Sequence, residues 1–447
     1  LAFDHSGDIL HSHFLSIDGY MSRAASNNSD EAMAEAWRVL NSCIAQQTDG
    51  LGTILIKGLY ASDLDRDNYK RIWARDAMIA GLAIVLTPKS GNELKDAFRA
   101  SVLALVSQQA ANGQIPSNIG IGPDDKPSYG SLVGRVDATT WWIIGACILG
   151  AQDPDIKMQL AAPVAKAIEM LKAWEFNQRG LLYTPLGGNW ADEYLVQGYT
   201  LYDNCLYLWA LRAAAKVYST VGYMEQAATL ERTIVANYLP GGFDQSSIIH
   251  LTAYADANQQ MPDGPYFWCC FGPQGYDTRW DMAGNALALL LGLHPDPDKL
   301  VAFLSSMAKG QGHWLLPVFS PVVEPTDWQW QLLRLNYTHA FKNQPHHFHN
   351  GGCWPVFMGM LSLGLAANCV TALSATIESQ IIDALNAEVP PYSFHEYWTT
   401  DHQQPSGVSP LAYTATGTIL VCMAAQYQSK QVVPNLTSIL CNDNRKD

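Results

Sequence analysis

The chain of 447 residues is poor in charge, and positive charge is its scarcest resource. Charged residues make up 15% of it, and 27 Lys and Arg face 41 Asp and Glu, for a formal net charge of −14. A polyanionic backbone would be repelled, and no basic cluster offsets this, so no nucleic-acid partner is expected. Long apolar runs are also missing. Val133–Gly150 and Met358–Ala367 are the most apolar stretches, and they are interrupted by polar residues or short of the roughly 20 residues a membrane span needs, so no membrane partner is expected. Nine cysteines are scattered without metal-like spacing, and the vicinal pair Cys269–Cys270 has no second pair or His at finger distance. Their odd number and scatter suit a reducing cytosol better than a disulfide framework, so a cytoplasmic protein is expected. No secretory signal pattern is visible, although a first residue of Leu1 leaves a removed segment open. G-x-S-x-G, Walker and G-x-G-x-x-G signatures are all absent, which leaves serine hydrolase, NTPase and dinucleotide-enzyme readings without a signature.

What is abundant is apolar and aromatic. Hydrophobic residues are 48% of the chain, with 14 Trp and 20 Tyr. That is ample for one large core, and residues 1–447 read as a single unit with an N-terminal extension over 1–30. Core packing accounts for most aromatics. Those in loops beside carboxylates also suit sugar rings, which are apolar on their faces and polar at the rim. Helical periodicity dominates. It predicts helices over Glu31–Gln47, Ala74–Leu86, Glu93–Asn112, Val136–Gly150, Ile156–Phe176, Leu201–Val221, Met224–Tyr238, Met282–Leu293, Asp298–Lys309, Gly351–Ala367, Ala372–Ala387 and Ser409–Gln426. Alternation typical of strands is confined to Leu51–Ile56, Leu181–Tyr183 and Leu315–Phe319. About twelve helices, joined at intervals by long loops rich in Trp, His and acids, predict an all-α fold. That pattern suits two concentric rings of six helices, a six-hairpin toroid with minor β elements in its loops. A solenoid or irregular bundle is the alternative, and the lack of a fixed 30–45-residue repeat counts against the solenoid.

Five constellations carry candidate chemistry. In Tyr69-Lys-Arg-Ile-Trp73-Ala-Arg75-Asp76, an indole and a charged pair open an apolar helix. They suit a clamp on adjacent sugar hydroxyls, and Asp76 equally suits a helix cap. Gly134-Arg-Val-Asp137-Ala-Thr-Thr-Trp141-Trp142 presents the same choice for Asp137. Gly188-Asn-Trp190-Ala-Asp192-Glu193-Tyr194 places two adjacent carboxylates in an aromatic loop, followed by Tyr202 and Asp203. Desolvation and like charge are expected to raise the pKa of at least one, as a general acid on a glycosidic oxygen requires. His346-His347-Phe-His349-Asn350-Gly-Gly-Cys-Trp354-Pro355 lacks the spacing of a metal site, so no metal is expected. It reads as a Gly-Gly turn bringing His349, Asn350 and Trp354 to a ligand. Finally, Tyr392-Ser-Phe-His395-Glu396-Tyr397-Trp398 sets Glu396 among aromatics, opposite Asp192, where it could activate a water.

These motifs resemble those of a known family. His349-Asn-Gly-Gly-Cys-Trp-Pro-Val356 is similar to the H-N-G-G-x-W-P segment of the alkaline/neutral invertases, glycoside hydrolase family 100. Ile72-Trp-Ala-Arg-Asp76 resembles that family's Arg-Asp segment. Gly134 to Trp142 resembles its R-V-x-P-V-D-S-x-L-W-W segment, shortened and without the proline. Trp190 to Leu211 resembles the stretch holding its acid, with Asp203 in place of a later Glu. The family's Asp-Arg-Arg is Asp192-Glu193-Tyr194 here. The stretch around Glu396 and Gly407 to Tyr413 looks as much like glucoamylases and glycogen-debranching-type proteins, as does Trp73-Ala-Arg-Asp76. The resemblance runs in order over residues 70–425 and implies the (α/α)6 barrel. It further implies an inverting glycoside hydrolase that cleaves an α-glucosidic bond without metal or organic cofactor. Asp192 would be the catalytic acid and Glu396 the base. Trp73, Arg75, Asp76, Asp137, Trp141, Trp190, Tyr202, His349, Asn350, Trp354 and Tyr397 would bind substrate. A small carbohydrate, sucrose first, is the expected substrate. An exo-acting α-glucosidase, a debranching-type enzyme and a catalytically silent sugar-binding protein are the alternatives. Oligomeric state is left open.

Overall fold

The computed structural model describes residues 28–426 except 49, 51, 66–67, 88–89, 123–124, 242–244 and 338–339. Of the expected N-terminal extension, residues 1–27 lie outside the described residues. A first helix, α1, occupies 28–42. Thirteen more follow: α2 Ala74–Leu86, α3 Asn92–Ser107, α4 Val136–Gln152, α5 Pro154–Ala173, α6 Leu201–Tyr218, α7 Val221–Tyr238, α8 Leu251–Gln260, α9 Met282–Leu290, α10 Pro297–Gln311, α11 Trp330–Leu335, α12 Pro355–Ala367, α13 Thr371–Ala387 and α14 Ala412–Gln426.

Burial sorts twelve of these into two rings. In α4 every residue from Val136 to Gly150 is buried, and in α12 every residue from Pro355 to Ala366. α2, α6, α9 and α14 are nearly as enclosed. A helix apolar all round must be covered on all sides. These six contact one another in the order α2, α4, α6, α9, α12, α14, and α14 returns to α2, so the inner ring is closed. The others bury one stripe. In α3 it is Leu94, Ala97, Phe98, Ser101, Val102 and Leu105, the 3.6-residue spacing of a one-sided helix. α3 packs on α2 and α4, α5 on α4 and α6, α7 on α6, and α13 on α12 and α14. Phe303 of α10 meets Trp280 just before α9, and Ala32, Ala36, Val39 and Leu40 bury one side of α1. With α1 and α10 the outer ring also has six members. The architecture is an all-α toroid of two concentric helix rings.

The tightest contact in the ring has a plain cause. α12 and α14 approach so closely that a Cβ on Gly417 would lie 2.3 Å from the Pro355 carbonyl carbon, and one on Gly359 2.6 Å from the Gly417 oxygen. Only glycine leaves room for that backbone approach.

The strands are short and antiparallel. They are β1 Ile44–Thr48, β2 Ile54–Leu59, β3 Ile72–Trp73, β4 Asn118–Ile119, β5 Tyr199–Thr200, β6 Cys270–Gly272, β7 Gly275–Asp277, β8 Trp280–Asp281, β9 Phe319–Ser320, β10 Tyr397–Trp398 and β11 Pro405–Ser406. β3, β5 and β8 lead directly into inner helices α2, α6 and α9, and a bridge between Cys353 and Trp398 precedes α12. Each pairs with the loop of another hairpin: β3 with β4, β5 with β6, β8 with β9. The ladder bonds knit the loops at the N-terminal ends of the inner helices into one rim.

The predicted helices are all present, with ends moved by a few residues. Glu31–Gln47 is divided, because β1 begins at Ile44 and pairs with β2. Gly351–Ala367 starts at Pro355, since the two glycines belong to the rim. Leu181–Tyr183 is not a strand: the Leu182 N–H is taken by the Asn204 side chain instead of a ladder. Among the described residues, no helix is long and apolar enough to cross a membrane.

Candidate active site

The rim encloses a cleft of about 410 Å³. Its floor comes from the first turns of inner helices and its walls from the loops before them. Tyr69 reaches it from the turn before β3, Trp73 from β3, and Arg75 and Asp76 from the first turn of α2. Arg135 comes from the residue before α4, Trp190, Asp192 and Glu193 from the loop before β5, His349 and Trp354 from the turn before α12, and Glu396 and Tyr413 from either side of the turn into α14. Asp192 and Glu396, far apart in sequence, therefore line one cavity.

Each is held differently. The Asp192 side chain is about one-third exposed and accepts a hydrogen bond from the Arg135 guanidinium, which also binds the Gly187 carbonyl. Charge and the shared anchor fix the carboxylate's direction. Glu396 is buried. One oxygen accepts from the Tyr69 hydroxyl at 2.8 Å, the other from the Val408 N–H at 3.3 Å. Gly407, at φ +82°, makes this possible, because a Cβ there would fall 2.3 Å from Glu396 Oε2. Burial raises the Glu396 pKa above the usual glutamate value, and the nearby Lys342 charge and the Tyr69 and Val408 bonds hold it back. The Tyr69 hydroxyl is pushed well above its usual value by burial and the Glu396 charge, so it stays a proton donor to that carboxylate. Asp76 is raised to about 6 by burial, against the lowering effect of Arg75.

Stacked rings form one wall. Tyr397 stacks on Trp354, Trp354 on His349 and His349 on Phe348, at 5.8, 5.5 and 4.0 Å between centroids. Trp190 stands edge-on to His349 and Trp354 and stacks on Phe319. Burial first, then the Lys342, Arg75 and Arg135 charges, drive the His349 pKa well below normal, so its ring is neutral. A neutral aromatic wall facing carboxylates matches the split polarity of a sugar ring.

Of the residues expected on the ligand, Trp73, Arg75, Asp76, Trp190, Asp192, His349, Trp354 and Glu396 line the cleft; Asp137, Trp141, Tyr202, Asn350 and Tyr397 do not. Asp137, Trp141 and Tyr202 form a sealed layer under the floor. Trp141 Nε1 donates to the Tyr202 hydroxyl (2.9 Å), Tyr202 approaches Asp137 Oδ2 (3.4 Å), and Asp137 Oδ2 takes Arg75 Nη1 (2.6 Å). The layer points Arg75 at the cleft. Asn350 ties the rim, bonding the Val323 N–H and carbonyl and the Asn343 carbonyl. Tyr397 supports Trp354 from behind. Nor are Asp76 and Asp137 caps: the N-caps are Trp73 and Arg135, and neither helix has a side-chain cap bond. Asp203 is sealed as well, accepting from the Thr184 and Thr200 hydroxyls.

Tyr69, Arg135, Lys342 and Tyr413 were not singled out from the sequence. Tyr69 and Arg135 stood inside two of its motifs, and Tyr413 closed a third segment. Lys342 carries no sequence signal. The one group of metal-type ligands that converges among the described residues is Cys269, Cys270 and Asp277, their ligand atoms within 4.8 Å. The β6–β7 hairpin supplies the third member that spacing did not suggest. Its carboxylate is already engaged by Arg279.

A closed double ring of helices is a toroid of the glucoamylase-like kind, and solved structures share that fold. The mannosylglycerate hydrolase of glycoside hydrolase family 63 from Thermus thermophilus, in complex with glucose, superposes with a TM-score of 0.58 at 12% identity, over 88% of this chain and 99% of that one. A bacterial glucoamylase complexed with acarbose gives 0.55 at 15% identity, over 84% of this chain and 52% of that one. At the level of sequence, residues 248–426 match the family model described as alkaline and neutral invertase. The probable chloroplastic alkaline/neutral invertase A of Arabidopsis thaliana is 23% identical over 74% of this chain, which spans 60% of that relative's length. Cytosolic invertase 1 of Oryza sativa subsp. japonica is 23% identical over 82% of this chain and 72% of its own.

Proposed function

We propose that this chain is an inverting glycoside hydrolase that cleaves an α-glucosidic bond in a small sugar, with sucrose the first candidate. The observation that carries the reading is that Asp192 and Glu396 enter one cleft from separate rim loops, beside an aromatic wall. Asp192 would protonate the leaving oxygen, and Arg135 would keep its carboxyl aimed. Glu396 would take a proton from water on the other face of the sugar, with Tyr69 holding the side chain still. Inversion needs roughly 6.5–9.5 Å between the two carboxyl groups, enough for that water. Trp73, Arg75, Asp76, Trp190, His349 and Trp354 would grip the sugar that receives it. Asp137, Trp141 and Tyr202 would act from beneath, through Arg75. No residue in this scheme calls for a metal or organic cofactor.

Size favours a small substrate. The cleft of about 410 Å³ is at the low end of ligand pockets, which run roughly 300–1,000 Å³. One or two sugar rings fill such a space; a long glucan would have to end in it. The similarity to invertases puts sucrose first, and an exo-acting α-glucosidase is the second reading. The test is a screen of sucrose, trehalose, maltose, isomaltose and glucosylglycerate for released glucose. Release from sucrose supports the first reading, and release from maltose or isomaltose alone supports the second. No release from any of the five would favour a catalytically silent sugar-binding protein.

A further inference from the structure

On the far side of the segment that carries Asp192 lies a second cleft, of about 860 Å³, which the proposed reaction does not use. Residues 192–197 form a partition between the two. Asp192 and Glu193 face the catalytic cleft, while Leu195 and Gln197 face the other. Tyr194 is buried between them, its hydroxyl receiving a bond from Arg279 Nη1 (2.7 Å) and its carbonyl one from the Asn336 amide (2.9 Å). Arg279 and Asn336 both line the second cleft.

We infer that this second cleft is a binding site for a neutral carbohydrate. Its lining gives three reasons. First, Trp328 stands 77% exposed at its edge, an indole that buries little against the described residues and offers a flat apolar face. Such a face is what the C–H side of a sugar ring stacks on, and the half-buried Tyr276 adds aromatic surface within. Second, three carboxamides, Gln197, Gln274 and Gln329, line it and make no side-chain hydrogen bond to any described residue. A primary amide donates and accepts at once, which pairs with hydroxyl groups of either sense. Third, the one cation among the described residues of the lining, Arg279, is already paired with Asp277. Arg279 Nε bonds both oxygens of Asp277 at 2.9 Å, and Asp327 accepts from the Glu324 N–H at 2.7 Å. An anionic ligand would have to break the Arg279–Asp277 pair; a neutral polyhydroxylated one need not.

The volume is about twice that of the catalytic cleft and admits an oligosaccharide of a few rings. The site does not depend on the chain being a hydrolase, and its test is kept separate from turnover. The full chain carrying Asp192→Asn, to hold hydrolysis down, is titrated calorimetrically with glucose, sucrose and maltotriose. The same titrations are repeated with Trp328→Ala or Gln274→Ala added. Both added positions are exposed, so folding should be unaffected. The inference predicts that with at least one sugar either substitution removes one binding event or weakens it roughly tenfold, the order expected for losing an aromatic platform. Unchanged stoichiometry and affinity in both variants with all three sugars, or no binding at all, would overturn it. Failure of the hydrolase reading would show elsewhere, as absent sugar release by the native chain.

Discussion

In the proposed reaction two carboxyl groups would divide the chemistry through their surroundings. Asp192 is partly open and tied to an arginine, while Glu396 is enclosed and tied to a tyrosine. Asp192→Asn should lower kcat by on the order of 10²–10⁴ and alter folding far less, since the proposed general acid is lost while the amide oxygen can still accept from the buried Arg135. Glu193→Gln should be much milder; the reverse ranking would move the acid by one residue. Tyr69→Phe tests the other side. The hydroxyl bond favours ionised Glu396, so its removal should raise a pKa that burial has already raised. A base must be ionised to act. The acidic limb of the kcat/KM profile should therefore move to higher pH in Tyr69→Phe, and a profile that stays put would separate Tyr69 from the base. At this scale the sequence was most informative where carboxylates lay beside Trp in loops. It was least informative for Asp137, Trp141 and Tyr202. These share motifs with cleft residues, but helical spacing turns them beneath the floor, and sequence adjacency does not resolve a difference of one turn.

The ring depends on its helices meeting closely, and the α12–α14 crossing is the closest point. Gly417→Val should destabilise the protein by at least about 1–3 kcal/mol, because the added carbons would meet Pro355 backbone, which cannot rotate away. Urea melts of the variant and native chain measure this directly, and equal midpoints would mean that α12 and α14 can separate without cost. Long periodic helices were legible in the sequence because each buries either a stripe or its whole surface. α8 and α11 were not. They are short and sit inside stretches read as loops, and α11 leaves Leu332 and Leu335 exposed, so no buried stripe marks it. The strands were equally hard to see. Most are two or three residues long and exist because partners from other hairpins reach them, which no local pattern records.

Taken whole, the toroid gathers acids at one rim and buries several of them. Asp281 is raised to about 7 and Asp203 also well above an ordinary aspartate, burial being the first cause in each, with the Asp137 charge adding to Asp203. A carboxyl whose folded pKa is raised holds its proton longer in the folded state than in the unfolded one. Its stability contribution is present at low pH and is lost as pH rises through the folded value. The buried His294, His313 and His349 act in the opposite sense. Their pKa values are lowered, so they favour the folded state as pH rises toward the ordinary histidine value and add no further change above it. Above pH 7 the aspartates should prevail. Melting temperature should fall between pH 7 and 8.5, and less steeply in Asp203→Asn, which keeps an oxygen for Thr184 and Thr200. A rise over that interval would contradict the burial argument. The central claim is that Asp192 and Glu396 work across one cleft as acid and base. Proton NMR of the first-formed glucose from an α-linked substrate such as sucrose tests it most directly: the account predicts β-glucose first, and an initial α-glucose signal would contradict it.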